Sequence, residues 1–152
     1  PMPVHFLTSD IDDFHNEVET ELYDLSRVKP IVSRRNGTLY TSSHHIARFF
    51  RRKHETVVRR LLELEHFNFF KEVVERTATT FTEAGNPRKT TVYDIPHSGF
   101  DYLSCLLLDT KDREKFIEYI KEFEFQQEVM DFHSILIAHN IEPDQALEML
   151  LP

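Results

Sequence analysis

The sequence predicts an α+β fold in which two short hairpins bracket a pair of helices and a long helix follows. Three observations predict it. Asn36-Gly37 sits between two short β-prone runs. From Thr41 to Glu65 the apolar spacing becomes helical and breaks once, at a basic junction. Beyond that, two Thr- and Val-rich runs flank a loop of Gly, Asn and Pro. We divide the chain into an acidic segment (1–30), a central domain (31–97) and a helical extension (98–152).

Asp10 to Leu25 reads as an acidic helix with Phe14, Val18, Leu22 and Leu25 on one side, and Asp10 as its N-cap. Pro30 ends this region. Ile31–Arg34 and Thr38–Thr41 then form a hairpin, because both residues of Asn-Gly accept positive φ. Ser42 or Ser43 caps the next helix, whose Ile46, Phe49 and Phe50 share one face. The second helix runs from about Lys53 to Leu64. Val57, Leu61 and Leu64 form its apolar stripe, with His54 near it as a junction residue that hydrogen-bonds the turn. Arg52, Glu55, Thr56, Arg59 and Glu63 lie opposite, flanked by Lys53 and Arg60.

A second, longer hairpin spans Val73–Phe81 and Arg88–Ile95, with Arg88 and Lys89 near its tip. Two helices followed directly by a hairpin is the order of a winged helix-turn-helix. Phe100 to Leu108 is a short apolar helix carrying Cys105, expected as a buried structural thiol. Lys111 to about His139 is a long helix capped by Asp109 or Thr110. Its Phe116, Ile120, Phe123, Met130 and Ile137 follow alternating steps of four and three, a dimerisation seam between two chains or a face laid on the chain's own domain. Asp144 to Leu151 adds a last amphipathic turn or two. The abrupt end at Pro152 leads us to expect a piece of a longer protein.

Charge is segregated. Residues 1–26 carry seven acids and no Lys or Arg; 27–60 carry ten Lys or Arg and one acid; 61–152 carry eighteen acids and eight bases. The net charge of −8 therefore hides a local positive field, the kind that governs approach to a polyanion. The acidic flank is also placed to neutralise that block within the chain. With one cysteine there is no internal disulfide framework, and the default setting is reducing and cytoplasmic. The apolar run at Tyr102–Leu108 is too short to span a bilayer. Nine histidines show no helical zinc spacing, three glycines form no phosphate loop, and no nucleophile elbow stands out. We expect no enzyme, no metal and no cofactor.

The order of these parts resembles the Rha family of phage regulatory proteins. The residues that carry the resemblance are Thr41-Ser42-Ser43, Ala47, Phe49-Phe50, Arg52-Lys53-His54 and Val57-Val58-Arg59. Asn68-Phe69, Gly99-Phe100-Asp101-Tyr102-Leu103 and Tyr119-Ile120-Lys121-Glu122-Phe123 follow in the same order. The match covers about residues 38 to 125. Arg51-Arg52 replaces the family's Gly-Lys at the junction, Asp109-Thr110-Lys111 replaces its Thr-Gly, and residues 1–30 have no counterpart. The resemblance implies a phage- or prophage-encoded regulator of gene expression working in a bacterial host cell.

Two functions follow from different classes. In the first, the second helix enters the major groove of double-stranded DNA as part of a homodimer. Arg52 or Arg59 reads a guanine and Thr56 touches a base edge. Arg34, Arg35, Ser43, Arg51, Lys53, Arg60, Arg88 and Lys89 hold the backbone. In the second, the acidic helices bind a basic repressor protein, making the chain an antirepressor.

Overall fold

The computed structural model describes residues 28–82, 84–142 and 144–145, so the acidic helix expected over Asp10–Leu25 lies outside the described residues, as does most of Asp144–Leu151. The fold is α+β. Strands β1 (Ser33–Arg35) and β2 (Thr38–Ser42) form the first hairpin. Asn36 at φ 51° and Gly37 at φ 78° make the turn between them. Helices α1 (Ser43–Phe50) and α2 (His54–Leu62) follow. A 3-10 turn, Asn68–Glu72, leads to the second hairpin, β3 (Val74–Phe81) and β4 (Pro87–Pro96). Helix α3 (His97–Leu107), a 3-10 turn at Thr110–Asp112 and the long α4 (Arg113–Ala138) follow.

The four strands form one antiparallel sheet in the order β1-β2-β4-β3. β4 therefore lies between β2 and β3, and the helix pair is the connection that carries the chain past it. Ser42 pairs with Asp94 on one side of β4 and Val74 pairs with Asp94 on the other.

Ser42 is the cap of α1, its Oγ accepting from the His45 N–H at 3.0 Å. At the other end Arg51 adopts φ 55°, ψ 50°. Its N–H reaches the Arg48 carbonyl, and the Arg52 N–H reaches Ala47 at 2.8 Å. This is a Schellman ending with arginine in the left-handed position that glycine prefers. Asn140 at φ 55° ends α4 the same way, with Ile141 N–H on the Leu136 carbonyl.

One core runs through the described chain. Phe50, Phe100, Tyr119 and Phe123 are fully buried, and the rings of Phe100 and Tyr119 stack at 4.6 Å. Burying each such ring stabilises by about 1.5–3 kcal/mol. Tyr119 also ties α4 to the sheet, its hydroxyl bonded to Thr41, whose own Oγ1 donates to the Ile31 carbonyl. The boundary drawn at residue 97 does not separate two cores, since Val32, Leu61, Phe100 and Phe123 belong to one cluster. Gly99 allows the close fit of α3: a Cβ there would lie 2.5 Å from the Phe69 ring and 2.9 Å from Ile95.

Two expectations are corrected. Cys105 is exposed. Phe100, Leu103 and Ser104 take the inner face of α3, which turns position 105 outward. The expected dimer seam is largely the face by which α4 packs on its own domain. Phe123 is 0% exposed, and Phe116, Ile120 and Met130 pack against the same core. Only Ile137, at 80% exposure, runs clear of it. No helix among the described residues is long and apolar enough to cross a membrane.

Candidate nucleic-acid interface

Helix α2 buries Val57 and Leu61 and turns its other side outward. Lys53, Glu55 and Arg59 are exposed; Thr56 and Arg60 are half-buried. Lys53 is the N-cap residue, yet no side chain caps the helix, so the first backbone N–H groups lack the usual oxygen partner.

Ser43 holds α2 beside the second hairpin. Its oxygen accepts from the Tyr93 N–H at 3.0 Å and lies 2.8 Å from His54 Nε2. Burial, and then the charge of Arg88, lower the His54 pKa. The imidazole is therefore neutral near pH 7, and its Nε2 shares one hydrogen bond with the Ser43 hydroxyl. One hydroxyl thus joins α1, the first residue of α2 and β4. Ser43 was expected to hold phosphate; it is buried and both of its bonds point into the domain.

Arg88 belongs to the same neighbourhood. Its charge acts on His54 and also on His44, whose pKa is lowered to about 3 by burial, His54, Arg48, Arg76 and Arg88. His45 is lowered too, by burial and then by His44, Arg48 and Arg76. Arg88, at the start of β4, therefore stands close enough to the N-terminus of α2 for its charge to act there. Arg88 and Lys89 are exposed there, and Thr80 on β3 bonds Thr90 at 3.0 Å just below them.

Two predicted contacts are engaged elsewhere. Arg52 donates to the Phe50 carbonyl at 2.6 Å and to Asp112 Oδ2 at 2.5 Å. Burial would raise the Asp112 pKa, but the Asp109 N–H and the Arg52 guanidinium together bring it below the usual carboxylate range. Asp112 also completes a capping box with Asp109, so Arg52 braces the junction against the start of α4. Arg35 is bonded to Asp94 at 3.0 Å and lies over the Tyr40 ring at 4.8 Å. Asp94 is fully buried and also takes Arg76 Nε at 2.7 Å. Arg60 meets Glu63 at 3.0 Å on the surface, a pair worth little.

Of the predicted contacts, Thr56, Arg59 and Arg60 share α2 with Lys53 as its N-cap, and the charge of Arg88 reaches the first residue of α2, while Lys89 follows on β4 and alternates to the other face of the strand. Arg34 is exposed on the first hairpin and Arg51 at the end of α1. Sequence reasoning missed Asp94 and Asp112, the acids that withdraw Arg35 and Arg52. The even spacing of Arg76, Ala78 and Thr80, which places a charge on the inner face of β3, was the available signal. Among the described residues no group of His, Cys, Asp and Glu is arranged to hold a metal ion. No protein-family model, curated protein or solved structure matches the chain.

Proposed function

We propose that this chain is a DNA-binding transcriptional regulator of the Rha phage regulatory kind, a winged helix-turn-helix with α2 as the helix that enters the major groove. The observation that carries the reading is the Ser43–His54–Tyr93 tie, which fixes the first residue of α2 to β4, together with the reach of the Arg88 charge to His54. Arg59 becomes the guanine reader, since Arg52 is committed to Asp112. Thr56 meets a base edge. Lys53, Arg60, Arg88 and Lys89 hold phosphates, with Arg51 and Arg34 at the margins. The uncapped N-terminus of α2 offers backbone N–H groups and the positive end of its dipole to a phosphate.

A second copy of the chain is the partner proposed for the distal half of α4. Phe132 lies nine residues past Phe123, half a turn round the helix, and is exposed together with Phe125 and Ile135. A two-fold pairing through this stripe would present two reading helices to half-sites ~34 Å apart. Sedimentation checks it: the chain should sediment as a dimer and Phe132→Glu as a monomer, and a monomeric wild type overturns the pairing.

Gel-shift selection from random duplex DNA tests the main reading. Enrichment of a defined site is the expected result. No shift at low salt and no enriched sequence would overturn it and turn attention to a repressor protein as the target.

A further inference from the structure

Between α1 and α2 the chain runs only from Arg51 to Lys53, and the chemistry of these residues fixes little. Arg51 takes the left-handed position without a glycine's ease, and Lys53 gives α2 no side-chain cap. What closes the junction comes from the start of α4. The last four carbonyls of α1 have no partner inside the helix. Ala47 receives the Arg52 N–H at 2.8 Å and Arg48 the Arg51 N–H at 3.3 Å. The other two receive cationic side chains: Phe49 takes Lys115 Nζ at 3.0 Å, and Phe50 takes Arg52 at 2.6 Å. Asp112 holds that guanidinium from the other side and is itself fixed by the Asp109 N–H at 3.0 Å. Hydrogen bonds from charged donors are the stronger class, and these two lie at the negative end of the α1 dipole.

Asp112, Lys115 and Tyr119 stand at i, i+3 and i+7, the spacing of one helical face. Tyr119 bonds Thr41, the residue before the Ser42 cap. Helix α4 therefore grips α1 at both ends and meets the junction that aims α2. The first residue of α2 is held a second time, by the 2.8 Å bond between His54 and Ser43. Two holds on one short helix set a direction where a single hold would leave a pivot. We propose that Asp112 and Lys115 are positioning residues: they set the angle at which α2 leaves α1, and so make the aim of the reading helix depend on α4. The aim toward DNA rests on the function proposed above, while the angle does not.

Spin-label distances in the full chain test the angle without any DNA. With Cys105→Ser no native thiol remains. Labels at Glu55→Cys and Thr91→Cys, both exposed, report α2 against the sheet; labels at Glu118→Cys and Thr91→Cys report α4 against the same strand. In Asp112→Asn and in Lys115→Met the first distance should shift or broaden by about 2 Å, the scale on which packed helices move. The second distance should stay as it was, and Lys115→Arg should keep both. Lys115 is half-buried, so Lys115→Met carries the test where Asp112→Asn does not fold. An unchanged first distance, the result if Val57 and Leu61 alone aim the helix, overturns the inference. So does a shift of both pairs, which reports a general loosening. On the DNA reading the same variants lose about ten-fold in base discrimination, the worth of one misplaced contact, at an unchanged salt slope. A shifted first distance with discrimination intact counts against that reading and leaves the angle standing.

Discussion

Two sets of basic side chains in this domain do opposite things. Around the sheet and the start of α4, Arg35, Arg76 and Arg52 turn toward Asp94 and Asp112 and are largely covered. On α2 and the start of β4, Arg59, Arg88 and Lys89 remain exposed and make no ion pair among the described residues. The residue types are alike; the difference is whether the fold brings an acid to them. Arg35 and Arg52 meet partners 59 and 60 residues away in the chain. The first set therefore braces the fold, and the second set contributes little to holding it.

Removing the acid at the centre of the covered set should have the largest effect. Asp94→Asn takes from Arg35 and Arg76 the carboxylate they share, and breaking a buried ion pair from one side costs about 3–5 kcal/mol. Urea unfolding reads this directly; a loss below 1 kcal/mol would erase the distinction between the two sets. Arg52→Met comes next, with about 1.5–3 kcal/mol lost for hydrogen bonds to a charged partner. Arg59→Ala should leave stability within about 0.5 kcal/mol. Its cost should appear in DNA discrimination instead, about 1–3 kcal/mol at one base pair.

The histidines lie on the border between the sets and give a smaller, graded effect. His44, His45 and His54 have folded pKa values below the ordinary 6.5. Below pH 6.5 the unfolded chain takes up protons that the folded chain refuses. Their contribution is thus complete above the unfolded pKa and is lost as pH falls toward the folded values, at about 1.4 kcal/mol per pH unit for each histidine. Urea midpoints at pH 7, 6 and 5 should fall in that order, and His44→Leu should flatten the slope. The smallest effect has the opposite sign. Arg51→Gly relieves a left-handed residue and should stabilise by about 0.5–1 kcal/mol, read as a raised Tm.

Much of the local structure was legible because its causes are local. Asn36-Gly37 can hardly make any turn but one with positive φ, and a serine ahead of Ile46 and Phe49 finds the orphan N–H groups of a helix start. The second hairpin followed from β-branched runs around Gly85 and Pro87. What covers a face was not legible. The spacing of Phe116, Ile120 and Phe123 marks an apolar side of α4 but is the same whether a partner or the chain's own sheet lies on it. Cys105 sat in an apolar run whose outward positions only the helical phase of α3 reveals. The interface shows the same limit, since a basic run says nothing about distant acids, and Ser43 looked like a phosphate ligand until Tyr93 and His54 came to it.

Salt dependence of DNA binding tests the central claim most directly. With Arg35 and Arg52 committed to the fold, five or six cations remain for phosphate, and log K should fall against log salt with a slope of roughly −4.5 to −5.5 on B-form DNA. Lys89→Ala should weaken all sequences alike and make that slope shallower by about 1. A flat dependence in the wild type, or a slope unchanged in Lys89→Ala, would contradict the assignment of α2 and the second hairpin as the surface that meets DNA.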